Sequence, residues 1–279
     1  QGVKAMAESA ATPGTEDRGA DGFVRDESVA EQPATATDAP PFLVPHTRAA
    51  TELIYADPHL LLVVKPDHLL SVPGRHPLNR DCMITRLQSR FPEALTVHRL
   101  DLDTSGVMVV ARGKDAQSAL NTLFQARRVR KRYRAWVSGV VEQEEGVIDL
   151  PIARDWINRP RQKISFAGKP SETRYRVLQR HEESNRGARV GGEFRDAHLL
   201  SGPRTYLELI PVTGRSHQLR IHCASLGHPI LGCDLYASPR QLGMAPRLML
   251  HATRLELPHP YRDVEVVGHS PAPFEPALP

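Results

Sequence analysis

Val97-His98-Arg99-Leu100-Asp101-Leu102-Asp103-Thr104-Ser105-Gly106 runs directly into Val107-Met108-Val109-Val110-Ala111. The second half is a continuous apolar run and reads as a strand buried on both faces. The first half brings an imidazole, a guanidinium, two carboxylates and two hydroxyls to that strand's edge. It closes on a glycine, which permits a tight turn. Polar groups at such a place either satisfy backbone donors in an Asx or Ser/Thr turn, or they act on something. The residues alone leave both readings open.

A strand buried on both faces needs neighbours, and the flanking sequence supplies them. Leu53-Ile54-Tyr55 and Leu60 to Lys65 are strand-like runs separated by Asp57-Pro58. Asp81 to Arg90 predicts a short helix with Asp81 as its N-cap. In Lys114 to Arg127, Ala116, Ala119, Leu120, Leu123 and Phe124 share one helical face. Tyr133, Ala135 and Val137 alternate with Arg132, Arg134 and Trp136, as in a half-buried strand. Glu172 to Leu178, Thr205 to Val212, Arg247 to His251 and Val264 to Val267 predict further strands. Ser216 to Leu226 predicts a helix stopped by Gly227. Strands outnumber helices without regular alternation. That favours α+β with a mixed, mostly antiparallel sheet over a doubly wound fold.

Residues 1–47 hold three Lys and Arg against eight Asp and Glu, and lack apolar periodicity. They are expected to form a disordered acidic tail, leaving 48–279 as the folded domain. Glu183 to Pro203 is polar and rich in Gly and Arg, and is expected to be a long exposed loop. The body carries 33 Lys and Arg against 24 acids, and only six of the chain's 36 cations are Lys. Arg binds phosphate bidentately and stacks on bases, so this balance suits a nucleic-acid partner. Arg bias in a GC-rich genome accounts for the Arg to Lys ratio equally well, though not for the net charge. No run of 18 apolar residues is present, and the opening residues, which begin on Gln1, show no secretory pattern. Three scattered cysteines exclude a disulfide scaffold and fit a reducing cytoplasm.

Two further stretches concentrate chemistry. Leu209 to His222 reads as a strand, a turn and a helix carrying Arg215 and Arg220, either of which could neutralise a carboxylate or hold phosphate. A solvated helix face is the alternative. In Arg127-Arg128-Val129-Arg130-Lys131-Arg132-Tyr133-Arg134, six of eight residues are cationic. That pattern favours phosphate binding with a ring contact from Tyr133, because like charges repel unless a polyanion is present. His217, His222, Cys223, His228 and Cys233 lie close together but lack zinc-site spacing, so no metal is expected. Signatures for ATP, NAD and serine-hydrolase chemistry are absent.

In this order these stretches resemble the RluA family of pseudouridine synthases, from about Ile54 to Pro271. His98-Arg99-Leu100-Asp101 with Thr104-Ser105-Gly106 matches the family's signature, which is highly specific at this length. Lys65-Pro66 with Leu70 to Gly74, Lys131 to Ala135, Thr213 to Arg220 with Gly227 to Gly232, and Arg247-Leu248 to His251-Ala252 match its other motifs. Asp155 to Pro160, Gly168-Lys169-Pro170 and Tyr236 to Pro239 are similar to the branch acting on both rRNA and tRNA. Cys233 stands where Asp commonly follows Leu-Gly, with Asp234 one place later, and Val64 where Asn often precedes Lys-Pro. Neither departure is expected to touch the catalytic positions.

The resemblance implies the pseudouridine synthase fold with a central RNA-binding cleft and flanking helices. The implied reaction isomerises uridine in RNA without a cofactor, on hairpin loops of tRNA and large-subunit rRNA, by a cytoplasmic monomer. Asp101 takes the essential carboxylate's place, attacking C1′ or abstracting the 2′ proton, with Asp103 as the neighbouring rival. Arg220 would hold that carboxylate charged, and Tyr133 would stack on the uracil and supply or accept the proton at C5. Arg99 would fill the space the flipped base leaves. His98, Arg127, Arg128, Arg130, Lys131 and Arg215 would line the RNA path, with Leu219 or Ile221 walling the base. Two other classes fit parts of the sequence: a non-catalytic RNA chaperone, and a metal-dependent nuclease built on His217, His222 and Cys233.

Overall fold

The computed structural model describes residues 42–182 and 202–276. The tail up to residue 41 and residues 183–201 of the expected loop lie outside the described residues. The elements are β1 (Glu52–Ala56), β2 (Leu60–Lys65), α1 (Met83–Gln88), β3 (Ala94–Thr96), β4 (Ser105–Arg112), α2 (Lys114–Gln125), β5 (Arg130–Ser138) and β6 (Glu145–Asp149). They continue with β7 (Ile152–Arg154), β8 (Gln162–Ile164), β9 (Glu172–His181), β10 (Arg204–Pro211), α3 (Gln218–Ser225), α4 (Pro239–Leu242), β11 (Leu250–Pro258) and β12 (Glu265–His269).

Ten strands form one sheet along the path β1-β2-β4-β11-β5-β10-β9-β6, with β3 added to β4 and β12 to β11. Within that sheet only β4 and β11 pair in parallel. The expected α+β class with a mixed, mostly antiparallel sheet is the one found. β7 and β8 form a separate hairpin.

The strand at 107–111 is continuous in apolar residues because both its faces are covered. Met108 and Val110 join Leu61 and Val63 in one core cluster. Val107 and Val109 join Leu60, Leu62 and the α2 residues Ala116 and Leu120 in a second. Burying each such side chain contributes about 1.5–3 kcal/mol. The parallel step is narrow: Gly106 lies opposite Ala252, and a Cβ there would sit 2.3 Å from the Ala252 carbonyl oxygen.

Several expected boundaries move. The N-cap of α1 is Cys82, not Asp81, because the Asp81 carboxylate is taken by Arg86 Nε and Nη2 at 2.7 and 2.6 Å. α2 stops at Gln125, before Arg127 turns left-handed at φ 55°. β11 begins at Leu250 rather than Arg247 and extends to Pro258. Residues 42–49 are tied to the body earlier than the expected boundary at 48. Val44 N–H donates to Asn79 Oδ1, Asn79 donates to the Phe42 carbonyl, and Arg86 donates to the carbonyls of Thr47 and Ala49. The short strands β3 and β6 and the β7–β8 hairpin carry too few apolar residues to show in a hydropathy pattern.

Candidate active site

The loop between β3 and β4, the inner face of β5 and the turn before α3 converge on one cleft of about 580 Å³. It is lined by His98, Arg99, Asp101, Thr104, Arg127, Lys131, Tyr133, Arg215, His217, Leu219 and Arg220, among others. Of the residues expected to act on or bind the RNA, Arg128, Arg130 and Ile221 do not line it.

The two carboxylates of the signature loop separate. Asp101 faces the cleft, and its Oδ2 lies 3.8 Å from Arg220 Nη1. Asp103 does not line the cleft and pairs with His68 Nδ1 at 3.1 Å. The loop itself is pinned from beneath by Lys65, which is fully buried. Its ammonium donates to the carbonyls of Pro66, Leu69 and Leu102 at 2.9, 2.7 and 3.0 Å. Burial pushes Lys65 down to about 7, against the pull of Asp103, Asp67 and Asp101. At the far end of the loop, Ser105 accepts from Arg247 Nη2 at 2.6 Å and meets His251 Nδ1 at 2.7 Å. The first and last sequence motifs are therefore clamps on the loop that carries Asp101.

Arg220 is 3 % exposed. Burial works against its charge, yet Cys233, Asp101 and Asp234 hold it above the ordinary guanidinium range. Its Nε donates to Cys233 Sγ at 3.3 Å and its Nη2 to Asp234 Oδ1 at 2.5 Å. This corrects the expectation that the Cys233-Asp234 departure leaves the catalytic positions untouched: both residues hold the arginine that faces Asp101. Sequence spacing could not show it, because the contact spans a helix and a turn.

Tyr133 is 9 % exposed, and burial with the nearby Asp101 charge raises its pKa well above the usual phenol range. At neutral pH it is a phenol. His98 is held neutral, with a pKa lowered to about 3 by burial and by Lys131. It accepts from Val109 N–H at 3.0 Å and stacks on Phe124 with centroids 4.9 Å apart. It thus extends the β3 edge where that short strand has stopped. Gln218, which sequence reading passed over, organises the turn before α3. Its Oε1 accepts from Thr213 Oγ1 and Arg215 N–H, and its Nε2 donates to the Glu172 carbonyl and Thr173 Oγ1.

Strand alternation divides the basic run. Lys131 and Tyr133 face the cleft, while Arg130, Arg132 and Arg134 point the other way. There Arg130 pairs with Glu256 at 2.7 Å and Glu265 at 2.5 Å, and Arg134 and Arg132 pair with the buried Glu208. The charges that seemed to demand a polyanion are in part neutralised within the chain. Ile221 is buried behind α3, about 200° around the helix from Leu219, so of the two only Leu219 walls the cleft. Three of the residues weighed for a metal have other partners: His217 bonds Tyr236, His222 bonds Thr173 and the Leu150 carbonyl, and Cys233 bonds Arg220.

A carboxylate, a buried guanidinium and a phenol thus meet in one open cleft rimmed by cations. Residues 59–225 match the family model described as RNA pseudouridylate synthase. The chain is 46% identical over 217 residues to the dual-specificity RNA pseudouridine synthase RluA of Vibrio parahaemolyticus, covering 77% of this chain and 81% of that protein. It is 44% identical over 223 residues to the protein of the same name from Escherichia coli K12, covering 80% and 93%. Among solved structures, human RNA pseudouridylate synthase domain containing 1 superposes with a TM-score of 0.66 at 30% identity, covering 85% of this chain and 89% of that one. The chain belongs to the RluA family of RNA pseudouridine synthases, which isomerise uridine in RNA to pseudouridine.

Proposed function

We propose that Asp101, Tyr133 and Arg220 carry this isomerisation on a uridine flipped out of an RNA hairpin loop. The observation that carries the assignment is Asp101 in the cleft with buried Arg220 3.8 Å away, while Asp103 is engaged with His68. In the reaction the N1–C1′ bond breaks, the uracil turns, a C5–C1′ bond forms, the C5 proton leaves and N1 gains one. Asp101 either attacks C1′ or removes the 2′ proton, with the buried Arg220 guanidinium beside it. Tyr133 stacks on the base and, as a phenol, is set to donate rather than accept a proton in the resting cleft. Arg99 occupies the gap in the stack, and Lys131, Arg127 and Arg215 hold phosphates.

The substrates proposed are the anticodon stem-loop of tRNA and a similar loop of large-subunit rRNA; the names of the relatives, which speak of dual specificity, fit two RNA classes. The enzyme would act as a monomer in the cytoplasm, where both RNAs occur. Residues 48–279, together with the bonded segment 42–47, would form the catalytic domain, and the acidic tail before it would take no part in catalysis. Among the described residues no helix is long and apolar enough to cross a membrane. Incubating each RNA with the enzyme, with and without EDTA, then mapping carbodiimide adducts by reverse transcription, tests the proposal. Stops at a loop uridine with intact RNA are expected in both classes. Binding without stops would leave a chaperone, and cleavage that EDTA abolishes would leave a nuclease.

A further inference from the structure

The β7–β8 hairpin and the turn after it expose three large apolar side chains. Trp156 is 62 % exposed, and Ile157 and Phe166 are each 92 % exposed. Between Ile152 and Lys169 the sequence carries Arg154, Arg159, Arg161, Lys163 and Lys169 against the single acid Asp155. Apolar groups left in water and rimmed by cations mark a surface built to meet an anionic partner with flat apolar parts. The indole already takes planar cations: Arg159 lies over its ring at 4.3 Å and Arg154 at 5.6 Å.

The tip is held in shape. Asn158 donates from its backbone and its side chain to the two Asp155 carboxylate oxygens, and Asp155 N–H donates to the Arg161 carbonyl. Trp156 and Ile157 are therefore displayed by a closed turn. The hairpin is also fixed to the cleft. Gln162 N–H donates to Tyr236 Oη at 2.8 Å, and that hydroxyl bonds Nδ1 of the cleft residue His217 at 2.9 Å. After the hairpin, the Pro170 carbonyl accepts from Nε of the cleft residue Arg215 at 3.3 Å. Arg154 pairs with Gln162, so Trp156 stands two residues along the chain from the rung that carries the Tyr236 anchor.

We propose that this hairpin is a second RNA-contacting arm, in which Trp156 stacks on an unpaired base near the flipped uridine while Arg154, Arg159 and Arg161 hold the adjoining phosphates. The assignment rests on the proposed function for its choice of RNA. A protein surface or an anionic membrane would also accept arginines and tryptophan. The hydrogen-bonded continuity with the cleft favours the nucleic acid.

The chain's two tryptophans make the test direct, because Trp136 is only 2 % exposed and Trp156 is not. The probe is a hairpin RNA of roughly 17 nucleotides with a loop uridine, titrated into the full chain while tryptophan emission is followed. Saturable quenching is expected for the wild type and should vanish in Trp156→Phe, with the buried Trp136 signal reporting an intact fold. Trp156→Ala should raise KM for the hairpin about 5- to 100-fold, the range for losing one base stack, with kcat within about twofold. An unchanged KM with no quenching would overturn the arm. So would stronger quenching by phosphatidylserine vesicles than by RNA, or concentration-dependent quenching with no RNA present. Conversion of the hairpin without any Trp156 signal would sink the arm and leave the proposed function standing. Quenching without conversion would do the reverse.

Discussion

Replacing Gly106 by Ala adds one methyl group where the sheet has no room. The residue sits at φ 123°, which an L side chain adopts at a cost of about 1–3 kcal/mol. Its Cβ would meet the oxygen, nitrogen and carbon of Ala252 at 2.3, 2.4 and 2.7 Å. All three are backbone atoms, so the clash cannot be relieved by rotating a side chain. β4 and β11 must part, and their pairing is short, spanning only His251 with Ser105 and Ala252 with Gly106. Separation loses hydrogen bonds worth about 1 kcal/mol each and loosens packing by a further 1–3 kcal/mol or so. The sum is about 3–8 kcal/mol, against a typical total stability of about 5–15 kcal/mol. Gly113 supplies the control: it lies at φ 89°, and a Cβ there has nothing within 4 Å. Gly113→Ala should therefore show the dihedral cost alone. Thermal and urea unfolding of both variants should place Gly106→Ala lower in Tm by roughly 5–15 °C, using about 2–4 °C per kcal/mol for a domain of this size. Because Ser105 is clamped by Arg247 and His251 at this same step, turnover should also fall in Gly106→Ala at temperatures where it remains folded. Equal unfolding costs for the two variants would refute the narrow-step account.

Four other outcomes are expected. Asp101→Asn should bind RNA as the wild type does and lose at least about 10³-fold in turnover, whereas Asp103→Asn should retain more than a tenth. Residual Asp101→Asn activity within tenfold would move the carboxylate's role elsewhere. Lys65→Met leaves the buried Leu69 carbonyl without a donor, costing about 1–3 kcal/mol. With Lys65 near 7 when folded and 10.5 when unfolded, the unfolded chain binds more protons between those values. Wild-type stability should thus gain up to about 1.4 kcal/mol per pH unit from this group above pH 7, a gain that urea titrations should find missing in the variant. Lys131→Ala and Arg127→Ala should each flatten the log K versus log[salt] slope by about one unit in filter binding, while Arg130→Ala should leave it unchanged and lower Tm instead. A chain starting at residue 42 should melt like the whole protein. One starting at residue 48 should melt lower by a few degrees, having lost the bonds from Asn79 and from Arg86 to Thr47.

The sequence by itself determined the strands at 60–65 and 107–111, the helix that starts at Lys114 and the order of the motifs, because each is a local pattern in the chain. The same motifs carried the family and its reaction, since a specific run of residues such as His98 to Gly106 needs no coordinates to be matched. The motif match placed Asp101 ahead of Asp103, whereas only the fold shows that Asp103 meets His68 and Asp101 meets Arg220. The division of the basic run was likewise tertiary. Alternation tells that Arg130 and Lys131 face opposite ways, yet only the pairing of β5 with β10 and β11 reveals which face holds Glu208 and Glu256. Cys233 and Asp234 looked like variation beside the site until the chain returned them to Arg220. Trp156 could be read as a residue type but not as an exposed one. Exposure, like pairing, belongs to the folded surface, where residues far apart in sequence compete for the same partners.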